Sequence, residues 1–169
     1  MTLVFVSAMA VSTYATHLMG GQIVATNIGG YDYQIELTAY RDTIGVPMGL
    51  VAVFNVFEQD TSGGWISLFT SSVNYDTTSG GLMPSVVSVY GVEVYTFIDT
   101  ITMPGDGYYA ISWDECCRNG AIINMSNPLS ESMKLSTFLM VDSLNPNSSP
   151  SYTTPPVAYL PAHTLWQYN

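Results

Sequence analysis

Residues 31–40 read Tyr31-Asp32-Tyr33-Gln34-Ile35-Glu36-Leu37-Thr38-Ala39-Tyr40, and this stretch decides the class of fold. Tyr33, Ile35, Leu37 and Ala39 fall on one face, and Gln34, Glu36, Thr38 and Tyr40 on the other. That is the period of two expected of a strand with one buried face. Upstream, Gln22 to Thr26 is a second short apolar run, and Asn27-Ile28-Gly29-Gly30 stands between the two. Glycine supplies the positive φ of a tight turn, so the pair predicts a β-hairpin.

The same alternation of apolar runs and turn residues continues downstream. Val51 to Phe57 predicts a strand, and the near-continuous Phe54 to Phe57 suggests burial on both faces. Gly63-Gly64 leads into Trp65 to Thr70, and Asn74 to Ser85 reads as a surface loop. Val86 to Tyr90 and Glu93 to Thr102 flank Gly91. Pro104-Gly105-Asp106-Gly107 then turns the chain into Tyr108 to Trp113, and Lys134 to Val141 supplies the last strand. No apolar set recurs at helical spacing. Many short strands with turn residues between them predict an all-β fold: a single antiparallel β-sandwich domain, immunoglobulin-like or jelly-roll-like.

The domain is bounded at residues 16–144. Residues 1–15 contain an apolar run from Leu3 to Val11, followed by Thr13-Tyr14-Ala15 with a small residue at the end. This reads as a signal peptide without its basic leader, or else as a first strand. Residues 145–169 are rich in Pro and Ser and read as a tail or linker to a following domain. Val157 to Leu160 and Leu165-Trp166 are apolar enough to pack back on the sandwich.

Composition narrows the partners. Thirteen acidic residues face three bases, Arg41, Arg118 and Lys134, for a net charge of −10. Three scattered cations cannot displace the counterions of a phosphate backbone, which argues against nucleic acid and against anionic lipid. No segment is long and apolar enough for a membrane span. Asp32, Asp42, Asp60, Asp76, Asp99 and Asp106 lie in or near predicted loops, so calcium is the one cofactor worth weighing, although no EF-hand spacing is present.

The residues that carry reactive chemistry are few. Cys116 and Cys117 are adjacent and are the only cysteines; they close a vicinal disulfide, stay reduced, or pair with another chain. A zinc site lacks its spacing. His17 lies at an expected mobile N-terminus and His163 in the tail, neither placed as a general base on a rigid element. Asp114 and Glu115 are neighbours, and on a strand they point to opposite faces. No catalytic residue is assigned. Trp113, Cys116, Cys117, Arg118, Asn119 and Gly120 read together as a structural corner: Trp113 ends a strand and plugs the sandwich. Asn119-Gly120 makes a type I′ turn, and Arg118 reaches Asp114, Glu115 or loop carbonyls.

Two stretches resemble a known family. His17-Leu18-Met19-Gly20-Gly21-Gln22-Ile23 with Tyr33 to Asp42, and Ser112-Trp113-Asp114-Glu115-Cys116-Cys117-Arg118-Asn119-Gly120-Ala121-Ile122, look like the N-terminal module of large secreted surface proteins of gliding and marine Bacteroidetes. Ser149-Pro150 and Pro155-Pro156 fit the close of that module. The resemblance covers most of the chain after residue 16. It implies an extracellular, outer-membrane-associated location reached by type IX secretion, with downstream β-repeat domains of the same protein as partners. The implied role is adhesion or surface scaffolding linked to gliding motility, with a glycan or other surface ligand. Members commonly carry a cysteine after Tyr-Arg-Asp, where this chain has Thr43. The resemblance also gives Asp42-Thr43-Ile44, Asp99-Thr100-Ile101 and Asp142-Ser143-Leu144 a meaning as O-glycosylation motifs, at Thr43, Thr100 and Ser143. The expectation is a non-catalytic surface module. A surface-fibre subunit and a secreted polysaccharide-acting hydrolase using loop carboxylates are its rivals.

Overall fold

The computed structural model describes residues 16–80, 85–86 and 91–152. The expected signal peptide, residues 87–90, His163 and the apolar parts of the tail lie outside the described residues. The chain order is β1 (Leu18–Gly29), β2 (Asp32–Asp42), β3 (Val51–Gln59), β4 (Trp65–Asn74), a one-turn helix α1 (Thr77–Gly80), β5 (Ser85–Val86), β6 (Val92–Thr102), β7 (Gly107–Cys116), a 3₁₀ turn (Pro128–Ser130) and β8 (Ser132–Val141). The chain is all-β. Two antiparallel sheets, ordered β1-β2-β6-β5 and β4-β3-β7-β8, pack face to face. That order is the ABED arrangement of an immunoglobulin-type sandwich opposed by the C′CFG arrangement.

The core follows from strand parity. Tyr33, Ile35, Leu37 and Ala39 of β2 are fully buried, as the opening alternation requires. They meet Phe54 and Val56 of β3 and Tyr109, Ile111 and Trp113 of β7. Burial of β3 is one-sided. Ala52, Phe54 and Val56 point inward, whereas Val51 and Val53 are 54% and 42% exposed. The expected burial of both faces is therefore corrected: nothing among the described residues covers the outer face of the second sheet, so only alternate β3 positions enter the core. The Asn74–Ser85 loop also contributes: Tyr75 is buried, bridges to Phe97, and sets its ring edge-on to Tyr95 and Phe97.

Two local devices fix the sandwich. Tyr109, near the start of β7, donates its hydroxyl to the Gly105 carbonyl at 3.1 Å, four residues upstream in the β6–β7 connection. This is the tyrosine corner of immunoglobulin-type folds. Gly21 of β1 sits where an added Cβ would meet the Thr38 carbonyl oxygen at 2.5 Å and Leu135 Cδ1 at 2.7 Å. The missing side chain lets β1 close down on β2 and β8 together.

Candidate functional site

The segment singled out in the sequence folds into a corner at one end of the sandwich. Cys116 and Cys117 are joined by a disulfide across a cis peptide bond. Thr16 holds this pair: its hydroxyl donates to the Cys116 carbonyl at 2.5 Å and accepts the Cys117 amide at 2.7 Å. The Leu18 amide donates to the Cys117 carbonyl, and the Asn119 amide donates to the Leu18 carbonyl. Asn119 Nδ2 donates to Asp42 Oδ2 at 3.0 Å. The corner thus ties β1 and β2 of one sheet to β7 and β8 of the other.

Two expectations about this corner change, and a third resolves between its alternatives. Trp113 lies within β7, 2% exposed and part of the core, rather than at the strand's end. Of the partners expected for Arg118 a backbone carbonyl is the one met: its Nε donates to the Ser132 carbonyl at 3.2 Å, and among the described residues it forms no ion pair. Asn119-Gly120 is not a type I′ turn, because neither residue has positive φ. The Asn119 carbonyl accepts the Ile122 amide and its Oδ1 accepts the Ala121 amide at 2.8 Å, the pattern of a turn opened by an Asx residue. Gly120 passes close to Leu129, since a Cβ there would come within 2.9 Å of its Cδ2. His17 is likewise not at a loose end: its carbonyl accepts the Asp42 amide, and its buried Nδ1 has no hydrogen-bond partner among the described residues.

Asp114 is exposed and Glu115 half-buried on the opposite face of β7, so the two carboxyls diverge. Burial holds the Glu115 carboxyl above the usual carboxylate range, although the Cys116 amide donates to it and opposes the shift. Two aspartates, Asp60 and Asp142, turn inward on their own loops. Asp60 accepts from the Ser62 hydroxyl and from the Ser62 and Gly64 amides, and these bonds pull its carboxyl below the ordinary range. Asp142 does the same with Asn145 and Leu144. Among the described residues no three His, Cys, Asp or Glu side chains converge as a metal site would require. Of the three glycosylation candidates, Thr43 is half-buried with its amide on the Gly91 carbonyl. Thr100 is exposed on β6, and Ser143 is exposed with its amide on Asp106 Oδ1.

The feature that sequence reasoning missed is a groove. The β1 edge is covered at one end by the Cys117–Asn119 corner. At the other, the Ala25 and Asn27 amides donate to the Ser149 and Ser148 hydroxyls, and the Ser149 amide returns a bond to the Ala25 carbonyl. Between these covers opens a groove of about 440 Å³, lined by Gly21 to Ile23 of β1, Leu135 to Phe138 of β8, Pro150 and Tyr152. It adjoins, through Ser136 and Phe138, a smaller hollow of about 200 Å³ on the outer face of the second sheet. That hollow has Ala110 and Ser112 for a floor, with Phe57, Trp65, Lys134 and Phe138 around it. Trp65 and Phe138 belong to the opposite edge strands of the sheet. Their rings meet across it with centroids 5.7 Å apart, because the side chains beneath are small. Lys134 Nζ stands 5.9 Å from the centre of the Phe57 ring. Gln22 Oε1 is shielded from solvent and has no hydrogen-bond partner among the described residues.

No protein-family model, curated protein or solved structure matches this chain.

Proposed function

We propose that the chain is a non-catalytic binding module of a bacterial cell-surface protein, serving adhesion or scaffolding outside the cell. The observation that carries this reading is the aromatic groove. Trp65, Phe138 and Tyr152 are 44%, 62% and 69% exposed beside a hollow, where large apolar side chains cost solvation unless a partner covers them. A disulfide supports an oxidising destination, since thiols stay reduced in the cytosol. The resemblance of the Cys116–Ile122 segment to secreted surface proteins of Bacteroidetes points the same way and supports type IX secretion as the route.

The test is cellular. An antibody against the sandwich should label intact bacteria, and deletion of its coding segment should reduce attachment to surfaces or motility over them. Labelling only after cell lysis refutes the reading.

A second reading has its own observation. Strand β4 is an edge strand, exposed along nearly its whole length, with no charged residue from Trp65 to Asn74. Such an edge can accept a strand from another copy, which supports a surface-fibre subunit. A concentration-independent monomer in size-exclusion chromatography removes that reading.

A further inference from the structure

We propose that the groove from the β1–β8 gap onto the outer face of the second sheet binds a short oligosaccharide that carries a carboxylate sugar, such as a uronic acid. This rests on the reading of the chain as a binding module and assigns the module its ligand class.

The lining suits a sugar better than an apolar partner. A pyranose presents a face of C–H bonds, whose positive hydrogens are attracted to the negative face of an aromatic ring. Trp65 and Phe138 offer such faces, propped at the surface by a floor of Ala110 and Ser112 that are 7% and 3% exposed. A sugar also brings hydroxyls around its rim. Ser136, Thr137 and Gln22 line the adjoining groove. An apolar protein face would bury these polar groups with nothing to bond.

Charge narrows the ligand further. Of the three bases, Arg41 is paired with Glu93, and Arg118 is engaged with the Ser132 carbonyl. Lys134 faces Asp114 across the β7–β8 register but has no carboxylate within 4.0 Å among the described residues, and it stands at the hollow. A chain of net charge −10 repels a polyanion, but one ammonium beside the aromatic faces can meet one carboxylate. A mono-acidic oligosaccharide satisfies both conditions.

The experiment titrates the full chain with a glucuronate-containing oligosaccharide and with its neutral counterpart, following amide shifts by NMR and heat by calorimetry. The acidic sugar should bind more tightly than the neutral one, and more weakly as salt rises. W65A and F138A should each weaken binding at least tenfold, and K134Q should abolish the preference for the acidic sugar. Y108A is the control, because Tyr108 is exposed on β7 but does not line the groove. Circular dichroism and thermal melts confirm that each variant is folded. The proposal is overturned if neither sugar binds, if the neutral sugar binds equally well, if Y108A weakens binding as much as W65A, or if F138A instead dissolves a dimer of the chain. Loss of this ligand with cell-surface labelling intact would strike the ligand assignment alone; loss of surface labelling would strike the functional reading beneath it.

Discussion

Removing Glu93 should damage this domain more than removing the arginine it pairs with. Arg41 is 2% exposed, although it sits near the end of β2 in a sequence where cations are scarce. Its Nη1 bonds Glu93 of β6, its Nε donates to the Val46 carbonyl at 2.7 Å, and its Nη2 faces the carbonyls of Gly45 and Thr43. Glu93 is 21% exposed and also accepts the Tyr95 hydroxyl at 3.2 Å. In E93A the guanidinium keeps its carbonyl partners but loses its counter-charge inside the protein, a change that costs about 3–5 kcal/mol. In R41M the carboxylate left behind can still reach water, and the carbonyls of the 43–46 loop lose a donor, for about 1–3 kcal/mol. The double variant should therefore lie near R41M rather than at the sum, a coupling that neighbouring residues in one network show. Urea unfolding followed by circular dichroism and tryptophan fluorescence gives the three differences. For a domain of this size the E93A loss corresponds to a melting point lower by roughly 10–20 °C. An E93A cost near 0.5 kcal/mol, or simple additivity in the double variant, would refute the claim that this charge pair is internal to the fold.

Three further outcomes follow from single groups. Burial, with Glu58 nearby, pushes the Tyr109 phenol up to about 12 from an ordinary 10, so the unfolded chain gives up this proton first as pH rises. Its stabilising contribution is complete below pH 10 and is lost as pH climbs toward 12; Y109F should flatten that alkaline loss while costing about 1 kcal/mol at neutral pH for the bond to Gly105. Glu115 has a raised carboxyl, so its contribution is present in acid and is lost as pH rises through its folded value. E115Q should accordingly be more stable than the parent at pH 7 and lose that advantage in acid, as read from melting curves across pH. Finally, G21A should cost about 1–3 kcal/mol because backbone stands in the way, whereas G120A should cost less because only the Leu129 side chain must move; equal melting points for the two would contradict the packing described.

Most strands were legible because the chemistry that makes them is local. Tyr33, Ile35, Leu37 and Ala39 announce their face by parity, and Gly29-Gly30 and Gly63 mark the turns with positive φ. Apolar composition misled at Val51 and Val53, where β-branched residues on an uncovered face look like core although parity holds. The corner was legible as a corner, but its bonds were not, because Thr16, Asp42 and Ser132 reach it from distant parts of the chain. The Arg41–Glu93 pair needs the β2–β6 register, which places the two residues directly opposite. The groove was hidden for a similar reason: Trp65 and Phe138 meet only once β4 and β8 are known to flank β3 and β7. One signal was available. Lys134, Ser136, Phe138 and Met140 alternate with the inward Met133, Leu139 and Val141, and a phenylalanine at an outward position invites the question of what covers it.

The ties on β1 bear on how the molecule comes into being. Its free side is stitched to Cys117 near one end and to Ser149 near the other, partners roughly a hundred residues later in the chain. The β1–β2 hairpin can form early from neighbouring residues, but its outer border stays unfinished until nearly the whole domain has been made. Contacts of such long separation slow folding and leave an exposed strand border while the chain waits. A nascent chain halted before residue 148 would therefore carry an open template for its neighbours, and the arrival of Ser148 and Ser149 is what closes it.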